Sequence, residues 1–186
     1  VCRERHCRPH LIYMSPQGAV LTQKRAVELA AMPGICVLCG HYEGVDERVL
    51  EALVDEQISI GDYVLTGGEL PALTLVDCVA RLVPGVLSDE ICFTEESHFS
   101  GLLEYPQYSR PEEWHGRRVP EVLLSGHHGN VADWRTKESY KRTMARRPDM
   151  WARFDLTQVH SRHDKKVLAQ ALEEYAQEQG GAPETE

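Results

Sequence analysis

Short apolar segments alternate with helix-like stretches over the first half of the chain, and this alternation constrains the fold most. Three apolar segments have the length of strands: residues 12–14, 35–38 and 58–65. Thr22 is a suitable N-cap for a helix over 23–31, which Pro33 and Gly34 end. Strands separated by helices form mostly parallel sheets covered on both faces. We therefore predict an α/β domain.

Two further helices belong to this domain. The first is short and is predicted from three apolar residues spaced four apart, packed by that face: Val45, Val49 and Leu53. The second is a long apolar helix over 70–83. Turn-forming segments follow the three predicted strands, at 15–18, 40–44 and 60–68. Ligands of open parallel sheets bind at that end of the strands, although ordinary turns explain each segment singly.

The second half of the chain has a different character. Residues 88–120 have weak periodicity and many Pro, Ser, Glu and Tyr residues, which predicts a long functional connection. Helices are predicted over 130–147, ended by Pro148, and over 164–179, ended by Gly180 and Gly181. We predict a small helical C-terminal domain.

The charge is unevenly distributed. A net charge of -9 argues against indiscriminate binding to phosphate backbones. Residues 135–166, however, contain ten Lys or Arg against four acids, a net charge of +6. Such a run is either a solvated helix face or a contact for a polyanion, and both interpretations stay open.

The six cysteines include a Cys-x-x-Cys pair, Cys36 and Cys39. A zinc site of this type needs a second ligand pair, and strand positions three apart face opposite ways, so we predict core thiols and no metal. Reduced cysteines agree with a cytoplasmic protein. No apolar run approaches the roughly 20 residues that span a bilayer, so we predict no membrane contact.

Six motifs together resemble the bacterial tRNA (guanine-N1) methyltransferases of the knotted SPOUT superfamily. Three lie in the first half: Tyr-x-Ser-Pro-Gln-Gly (13–18), Cys-Gly-x-Tyr-Glu-Gly-x-Asp-Glu-Arg (39–48) and Ser-Ile-Gly-Asp-Tyr-Val-Leu-Thr-Gly-Gly-Glu-Leu-Pro-Ala (59–72). Three follow: Gly-Leu-Leu-Glu-Tyr-Pro-Gln-Tyr-Ser-Arg-Pro (101–111), Val-Pro-Glu-Val-Leu-Leu-Ser-Gly-His-His (119–128) and Arg-Arg-Pro (146–148). The resemblance extends from residue 12 to about 155.

The resemblance implies a parallel-sheet trefoil knot that binds S-adenosylmethionine. Its domains would be a knotted cofactor domain (1–87), a linker with the catalytic acid (88–120), a helical tRNA-binding domain (121–179) and a tail (180–186). The implied cofactor-binding residues are Tyr13, Met14, Ser15, Pro16, Gly40, Tyr42, Glu43, Ser59, Ile60, Gly61, Asp62, Tyr63, Val64, Leu65, Gly67, Gly68 and Pro71. Glu43 would attract the cofactor's cationic end, or instead cap the following helix.

The resemblance also implies methyl transfer to N1 of the guanine 3′ to the anticodon. Removing the N1 proton while charge develops toward O6 needs a general base and a cationic donor. The matching residues are Glu96, where the family more often has Asp, and Arg81. Alternatively, Arg81 only pairs with Asp77, and Glu96 only solvates a loop.

The implied assembly is a homodimer whose active site spans both subunits, with tRNA gripped by the positive helical segment. Tyr105 and Tyr108 either stack on bases or pack within the linker. His41 replaces an arginine common in relatives, a change that would weaken an RNA or partner contact. For His127 and His128 we predict capping or packing rather than catalysis.

Relatives have a further stretch before residue 13, so the resemblance implies a chain without its N-terminal portion. Two alternatives therefore accompany the enzyme: a non-catalytic tRNA-binding or dimerising remnant of the fold, and a methyltransferase with another substrate.

Overall fold

The structure is a computed structural model that describes residues 8–42, 44–87 and 97–180. The chain divides into two compact units, Val1–Phe93 and Thr94–Glu186. Each is described by itself. No helix within the described ranges is both long enough and apolar enough to cross a membrane.

A parallel three-stranded sheet lies at the centre of the first unit. Its strands are β1 (His10–Val20), β2 (Ile35–Cys39) and β3 (Glu56–Ser59), in the order β2-β1-β3. β1 pairs in parallel with both neighbours, His10 opposite Ile35 and Ile12 opposite Glu56. The predicted α/β class with a parallel sheet is confirmed for this unit.

β1 is longer and less regular than predicted. Residues 12–14 pair with 56–58, and the ladder resumes only where Ala19 and Val20 lie opposite Ile58 and Ser59. The predicted turn at 15–18 is therefore a bulge within β1 and not the end of the strand. Beyond the bulge, pairing of Ala19 and Val20 with β3 keeps the chain extended.

β3 is shorter than predicted, because the strand expected over 58–65 ends at Ser59. The Ser59 hydroxyl accepts a hydrogen bond from Gly61 N at 3.1 Å and donates one to Gly61 O at 2.9 Å. This local turn diverts the backbone from the sheet. Residues 60–65 therefore lie in an irregular loop, despite their apolar composition.

Three helices accompany the sheet: α1 (Gln23–Ala30), α2 (Glu47–Leu53) and α3 (Glu69–Ala80). Thr22 caps α1 as predicted, its hydroxyl accepting from Arg25 N at 3.2 Å. The predicted inner face of α2 is wrong. Leu50 is the buried residue, whereas Val49 and Leu53 are 40% and 53% exposed. The Asp46 side chain caps the helix, so the first helical turn begins there. That starting point determines which residues of α2 face inward.

The core of the first unit joins the sheet to α1 and α3. Its buried members are Ile12, Met14, Ala26, Leu29, Ile58, Leu75 and Val79. The prediction of core thiols is wrong for Cys36 and Cys39, which are exposed, while Cys78 is partly buried. Both exposed cysteines lie on β2, an edge strand of the described sheet. Cys2, Cys7 and Cys92 lie outside the described residues.

The described part of the second unit contains a hairpin, four α-helices and a short 3-10 helix, Leu156–Gln158. The hairpin strands are β4 (Glu113–Trp114) and β5 (Arg117–Arg118), and the helices are α4 (Glu121–Leu124), α5 (His128–Arg146), α6 (Pro148–Trp151) and α7 (Arg162–Gly180). The hairpin lies where a connection without regular structure was expected. Pro148 begins α6 directly after α5, because proline suits the first position of a helix.

α5 and α7 form the core of the second unit with the segment before the hairpin. Leu102, Tyr140, Met144, Val159, Val167 and Ala171 are buried together. Thr143 is fully buried, and its hydroxyl accepts from Leu103 N at 2.9 Å and donates to Ser139 O at 2.7 Å. His127 occupies the N-cap position of α5 without a side-chain capping bond, and His128 is exposed. Because both side chains are exposed and neither caps the helix, the predicted capping or packing role of that pair is wrong.

Candidate functional site

One concave pocket of about 400 Å³ lies beside the bulge of β1 in the first unit. Its walls come from the bulge, from the loop after β2, from α2 and from the loop between β3 and α3. This volume lies within the range of small-molecule sites, roughly 300–1,000 Å³. The pocket is the first candidate for a ligand site in this unit.

Fourteen of the residues predicted to bind a cofactor line this pocket. They are Tyr13, Met14, Ser15, Pro16, Gly40, Tyr42, Ser59, Ile60, Tyr63, Val64, Leu65, Gly67, Gly68 and Pro71. They lie up to 58 positions apart in the chain. The parallel pairing of β1 with β2 and β3 brings them together, because the bulge in the middle of β1 lies beside the carboxyl ends of β2 and β3.

Five predicted site residues are not placed at the pocket wall. Gly61 and Asp62 belong to the same loop but do not line the cavity. Glu43 and Glu96 lie outside the described residues. Arg81 follows the last turn of α3, whereas the pocket lies at the first turn. At 1.5 Å per residue, about 18 Å of helix separates Glu69 from Arg81.

Eight lining residues were not predicted. They are Gln17, His41, Gly44, Val45, Glu47, Leu50, Ile58 and Thr66. Most lie within the three recognised motifs or beside them, so adjacency in the chain was the available signal. Glu47 and Leu50 lie on α2, and which side of that helix faces the pocket depends on tertiary packing.

Gly68 brings the loop before α3 against the end of β2. Its N–H donates a hydrogen bond of 3.0 Å to the Gly40 carbonyl oxygen. A Cβ at position 68 would lie 2.7 Å from Cys39 Cα, and one at Gly40 would lie 2.7 Å from the Tyr13 hydroxyl oxygen. Carbon atoms in van der Waals contact lie 3.5–4.0 Å apart, so a side chain at position 68 would separate the two segments.

Side-chain hydroxyls fix two other parts of the wall. Ser59 ties back Gly61, as described above, and Ser15 accepts a hydrogen bond from Gln17 N at 3.2 Å. Ser15 and Ser59 are 7% and 4% exposed. The wall is thus held by local bonds, a preorganisation that lowers the entropic cost of binding a ligand.

Charged groups lie at the margin of the pocket. His41 Nε2 is 3.1 Å from a carboxylate oxygen of Glu69, and both side chains are more than half exposed. Partial burial raises the pKa of the Cys39 thiol, and the negative charge of Glu69 adds to that rise. Glu47 contributes a carboxylate to the lining itself, whereas Glu69 lies beside it. The pocket therefore combines apolar walls and backbone polar groups with acidic residues, which suits a ligand with a cationic part.

Comparison with known proteins identifies the lineage of this chain. Residues 1–153 match the family model described as tRNA (Guanine-1)-methyltransferase TrmD. The chain belongs to this family. The TrmD match includes every residue of the pocket wall and both hairpin strands of the second unit.

Curated TrmD relatives are closely similar. The tRNA (guanine-N(1)-)-methyltransferase of Ruminiclostridium cellulolyticum is 62% identical over 144 residues, covering 77% of this chain and 62% of that protein. Its counterpart in Chloroflexus aurantiacus is 55% identical over 159 residues, covering 86% and 62%. The counterpart in Pelotomaculum thermopropionicum is 53% identical over 173 residues, which cover 92% of this chain and 67% of that protein. The chain thus spans a little over three fifths of the length of the first two relatives.

Proposed function

We propose that this protein transfers a methyl group from S-adenosylmethionine to N1 of the guanine 3′ to the tRNA anticodon. Membership of the TrmD family supports the reaction class. The observation that carries the proposal is the convergence of fourteen expected cofactor residues on one pocket of about 400 Å³.

The pocket fits the proposed cofactor in shape and chemistry. The close approach of Gly68 to Cys39 and Gly40 leaves backbone groups rather than side chains at the wall, and such groups can pair with an adenine ring or a ribose. Tyr13, Ile60 and Leu65 supply surface for an aromatic base. Bound S-adenosylmethionine would supply an electrophilic methyl group. A trefoil knot is part of this proposal, supported by the packing of the loops after β2 and β3.

Glu96 and Arg81 are proposed to act on the guanine. The Glu96 carboxylate would accept the N1 proton, and the Arg81 guanidinium would stabilise negative charge at O6. Arg81 lies about 18 Å along α3 from the pocket of its own chain. That separation supports a site shared between subunits, in which Arg81 of one subunit acts on guanine bound beside the cofactor of the other.

An apolar stripe on α3 supports the proposed homodimer. Leu70, Leu73 and Val76 are 62%, 64% and 48% exposed, at intervals that place them on one face of the helix. Aliphatic side chains grouped in this way mark interaction surfaces. A second copy packed against α3 would cover the stripe and bring Arg81 of one chain nearer to the pocket of the other.

The proposed setting is the cytoplasm, where tRNA is available. The helical unit would contact the tRNA, because phosphate neutralisation by Lys and Arg drives such binding. The segment 135–166 has the required positive excess of +6.

A methylation assay tests the proposal. The purified chain is incubated with S-adenosylmethionine tritiated in its methyl group and with tRNA carrying guanine or adenine just after the anticodon. We expect label at N1 of the guanine and none in the adenine-bearing tRNA. A folded dimer that binds both tRNA and cofactor but leaves no label in the guanine tRNA would contradict the enzyme and favour a non-catalytic remnant.

A further inference from the structure

The hairpin in the second unit displays a tryptophan and an arginine side by side. His115 and Gly116 have φ values of 48° and 75°, and positive φ at both central residues defines the type I′ turn that suits the twist of paired strands. Trp114 lies directly opposite Arg117, and Glu113 opposite Arg118. Opposed residues share a face of a hairpin. Trp114 and Arg117 therefore project to one side.

Trp114 is 61% exposed, although tryptophan has much apolar surface to bury. Its ring contacts His115 edge-on, with 4.4 Å between centroids. A hairpin of two residues per strand gains little from this arrangement, because most of the indole faces solvent. Stabilisation of the second unit therefore does not explain why Trp114 lies at this exposed position.

Two clefts of about 510 Å³ each adjoin the hairpin and share one wall. The first lies against α4 and α5 and includes Tyr105, Trp134 and Arg135, while the second includes Trp114 and Arg117. Both are lined by Gln107, Tyr108, Ser109, Arg110 and Val119. We call the two together the aromatic-arginine groove.

Aromatic rings recur along the groove. Tyr108 is 48% exposed, and its ring lies 6.2 Å from that of Trp134. The Arg135 guanidinium lies 4.6 Å from the centroid of the Tyr105 ring, a cation–π arrangement. Two of the rings, those of Trp114 and Tyr108, are exposed and lie in clefts that arginines also line, and unstacked bases bind on exposed rings beside cations.

The groove is positively charged. Its lining has four arginines, Arg110, Arg117, Arg118 and Arg135, against one acid, Glu112. Arg118 lies 3.9 Å from Glu113. Arg110 and Arg117 are exposed and make no ion pair to any carboxylate of residues 8–42, 44–87 or 97–180. Their charges are therefore available to a phosphate.

The basic segment 135–166 is more fully neutralised than its charge suggests. Lys137 and Lys141 bind Glu174 at 2.6 and 3.2 Å, and Lys141 also binds Glu178 at 2.6 Å. Arg147 and Arg153 share Asp149 at 2.7 and 2.8 Å. Four of its ten cations are thus held in ion pairs within the unit.

We propose that the aromatic-arginine groove binds an unstacked, single-stranded segment of RNA. Bases stack on Trp114 and Tyr108, and phosphates bind Arg110 and Arg117. Planar guanidinium groups match phosphate geometry and stack on bases, so this combination suits RNA better than a charge-only surface. That the RNA is a tRNA rests on the proposed function, whereas the groove itself stands on its own geometry.

The test measures RNA binding without any methyl donor. Fluorescence anisotropy follows a labelled oligoadenylate of about 12 nucleotides, and separately an RNA duplex of the same length, between about 50 and 200 mM salt. The variants are Trp114→Ala, Trp114→Phe and the pair Arg110→Ala with Arg117→Ala. The matched control is Lys24→Ala with Arg48→Ala, which removes two exposed cations that lie outside both the groove and the segment 135–166.

Loss of stacking in Trp114→Ala should weaken single-strand binding by about 5- to 150-fold, and Trp114→Phe should retain part of the affinity. The double arginine variant should lower the slope of log affinity against log salt by about 1.4. The control should change affinity by less than about twofold. Circular dichroism checks that each variant is folded.

Three results would overturn the proposal: wild-type affinity in folded Trp114→Ala, equal losses in the Arg110/Arg117 variant and in its control pair, or preference for the duplex. Displacement of the oligoadenylate by oligoglutamate as readily as by RNA would point instead to an acidic protein partner. If the chain transfers methyl groups but its hairpin variants bind RNA normally, the groove proposal is wrong and the proposed function stands. If RNA binding depends on the groove but the chain transfers no methyl group, the proposed function is wrong and the groove proposal stands.

Discussion

The backbone N–H of Gly68 donates a hydrogen bond of 3.0 Å to the carbonyl oxygen of Gly40. This bond joins the loop before α3 to the end of β2, and both segments supply part of the pocket wall. The contact leaves no room for a side chain, since a Cβ at position 68 would lie 2.7 Å from Cys39 Cα and 3.0 Å from Gly40 N. Two motifs that are far apart in the sequence thus meet at Gly40 and Gly68.

Gly68→Ala should separate these segments and damage the pocket. We expect a loss of about 1–3 kcal/mol in the free energy of unfolding, because the clash is with backbone rather than a movable side chain. Affinity for S-adenosylmethionine should fall by about tenfold or more, a difference of about 1.4 kcal/mol. Thermal unfolding and calorimetry measure the two effects.

Gly34→Ala is the matched control, because nothing lies within 4 Å of a Cβ at that position. Its stability should stay within about 0.5 kcal/mol of wild type, and its cofactor affinity should not change. Equal effects of the two substitutions would show that close packing at Gly68 does not shape the pocket.

Thr143 should be the more critical of two threonines on α5. Its buried hydroxyl satisfies Leu103 N, so Thr143→Val leaves that N–H without its acceptor and should cost about 1–3 kcal/mol. Thr136 makes a similar bond to Ala132 O at 3.0 Å but is exposed, so Thr136→Val should cost less than about 0.5 kcal/mol. Urea unfolding compares them, and equal losses would refute the assigned bond.

Glu56 should make the first unit sensitive to acid. Burial opposes its ionisation, but hydrogen bonds from Arg25 at 2.8 and 2.5 Å and from His10 at 3.0 Å outweigh that effect and lower the pKa of Glu56. A lowered carboxyl pKa stabilises the fold above the unfolded value, about 4.3 for glutamate. This contribution disappears as pH falls through the lower, folded value.

Glu56→Gln should therefore flatten the decline in the free energy of unfolding below about pH 5, while reducing stability at neutral pH by about 1–3 kcal/mol. Denaturant unfolding across that pH range provides the measurement. The exposed Glu51 lies on α2, and Glu51→Gln should leave the wild-type profile unchanged. If the pH profile of Glu56→Gln runs parallel to that of the wild type, the hydrogen bonds of Glu56 to Arg25 and His10 contribute nothing to acid sensitivity.

The apolar stripe on α3 should decide the oligomeric state. Leu73→Glu places a charge where the second copy is proposed to pack, and sedimentation velocity should show a monomer in place of a wild-type dimer. Leu172 on α7 is 44% exposed, and Leu172→Glu should leave the dimer intact. A monomeric wild type, or a dimer that survives Leu73→Glu, would exclude α3 as the interface.

Local signals predicted the elements whose limits depend on a few neighbouring residues. Thr22 set the start of α1, and the alternation of strands and helices was sufficient for the parallel sheet. The bulge in β1 and the early end of β3 were not predicted, because pairing and the Ser59–Gly61 turn override the apolar pattern. The hairpin was missed since two-residue strands have no periodicity to detect.

The same distinction holds for the candidate site. The motifs indicated fourteen residues that the fold brings to one cavity, because the bulge of β1 lies beside the ends of the two strands that pair with it in parallel. Leu50 and Glu47 were not foreseen, since the rotation of α2 depends on its cap at Asp46 and on packing. The roles of Glu43 and Glu96 stay predictions, as both lie outside the described residues.

Calorimetric titration of S-adenosylmethionine into the folded chain tests the central claim most directly, because that claim is a cofactor pocket built from three distant segments. We predict saturable binding with one site per chain, lost in Gly68→Ala and retained in Gly34→Ala. A folded wild-type chain that shows no saturable heat at any accessible cofactor concentration, and no protection against thermal unfolding, would contradict the account.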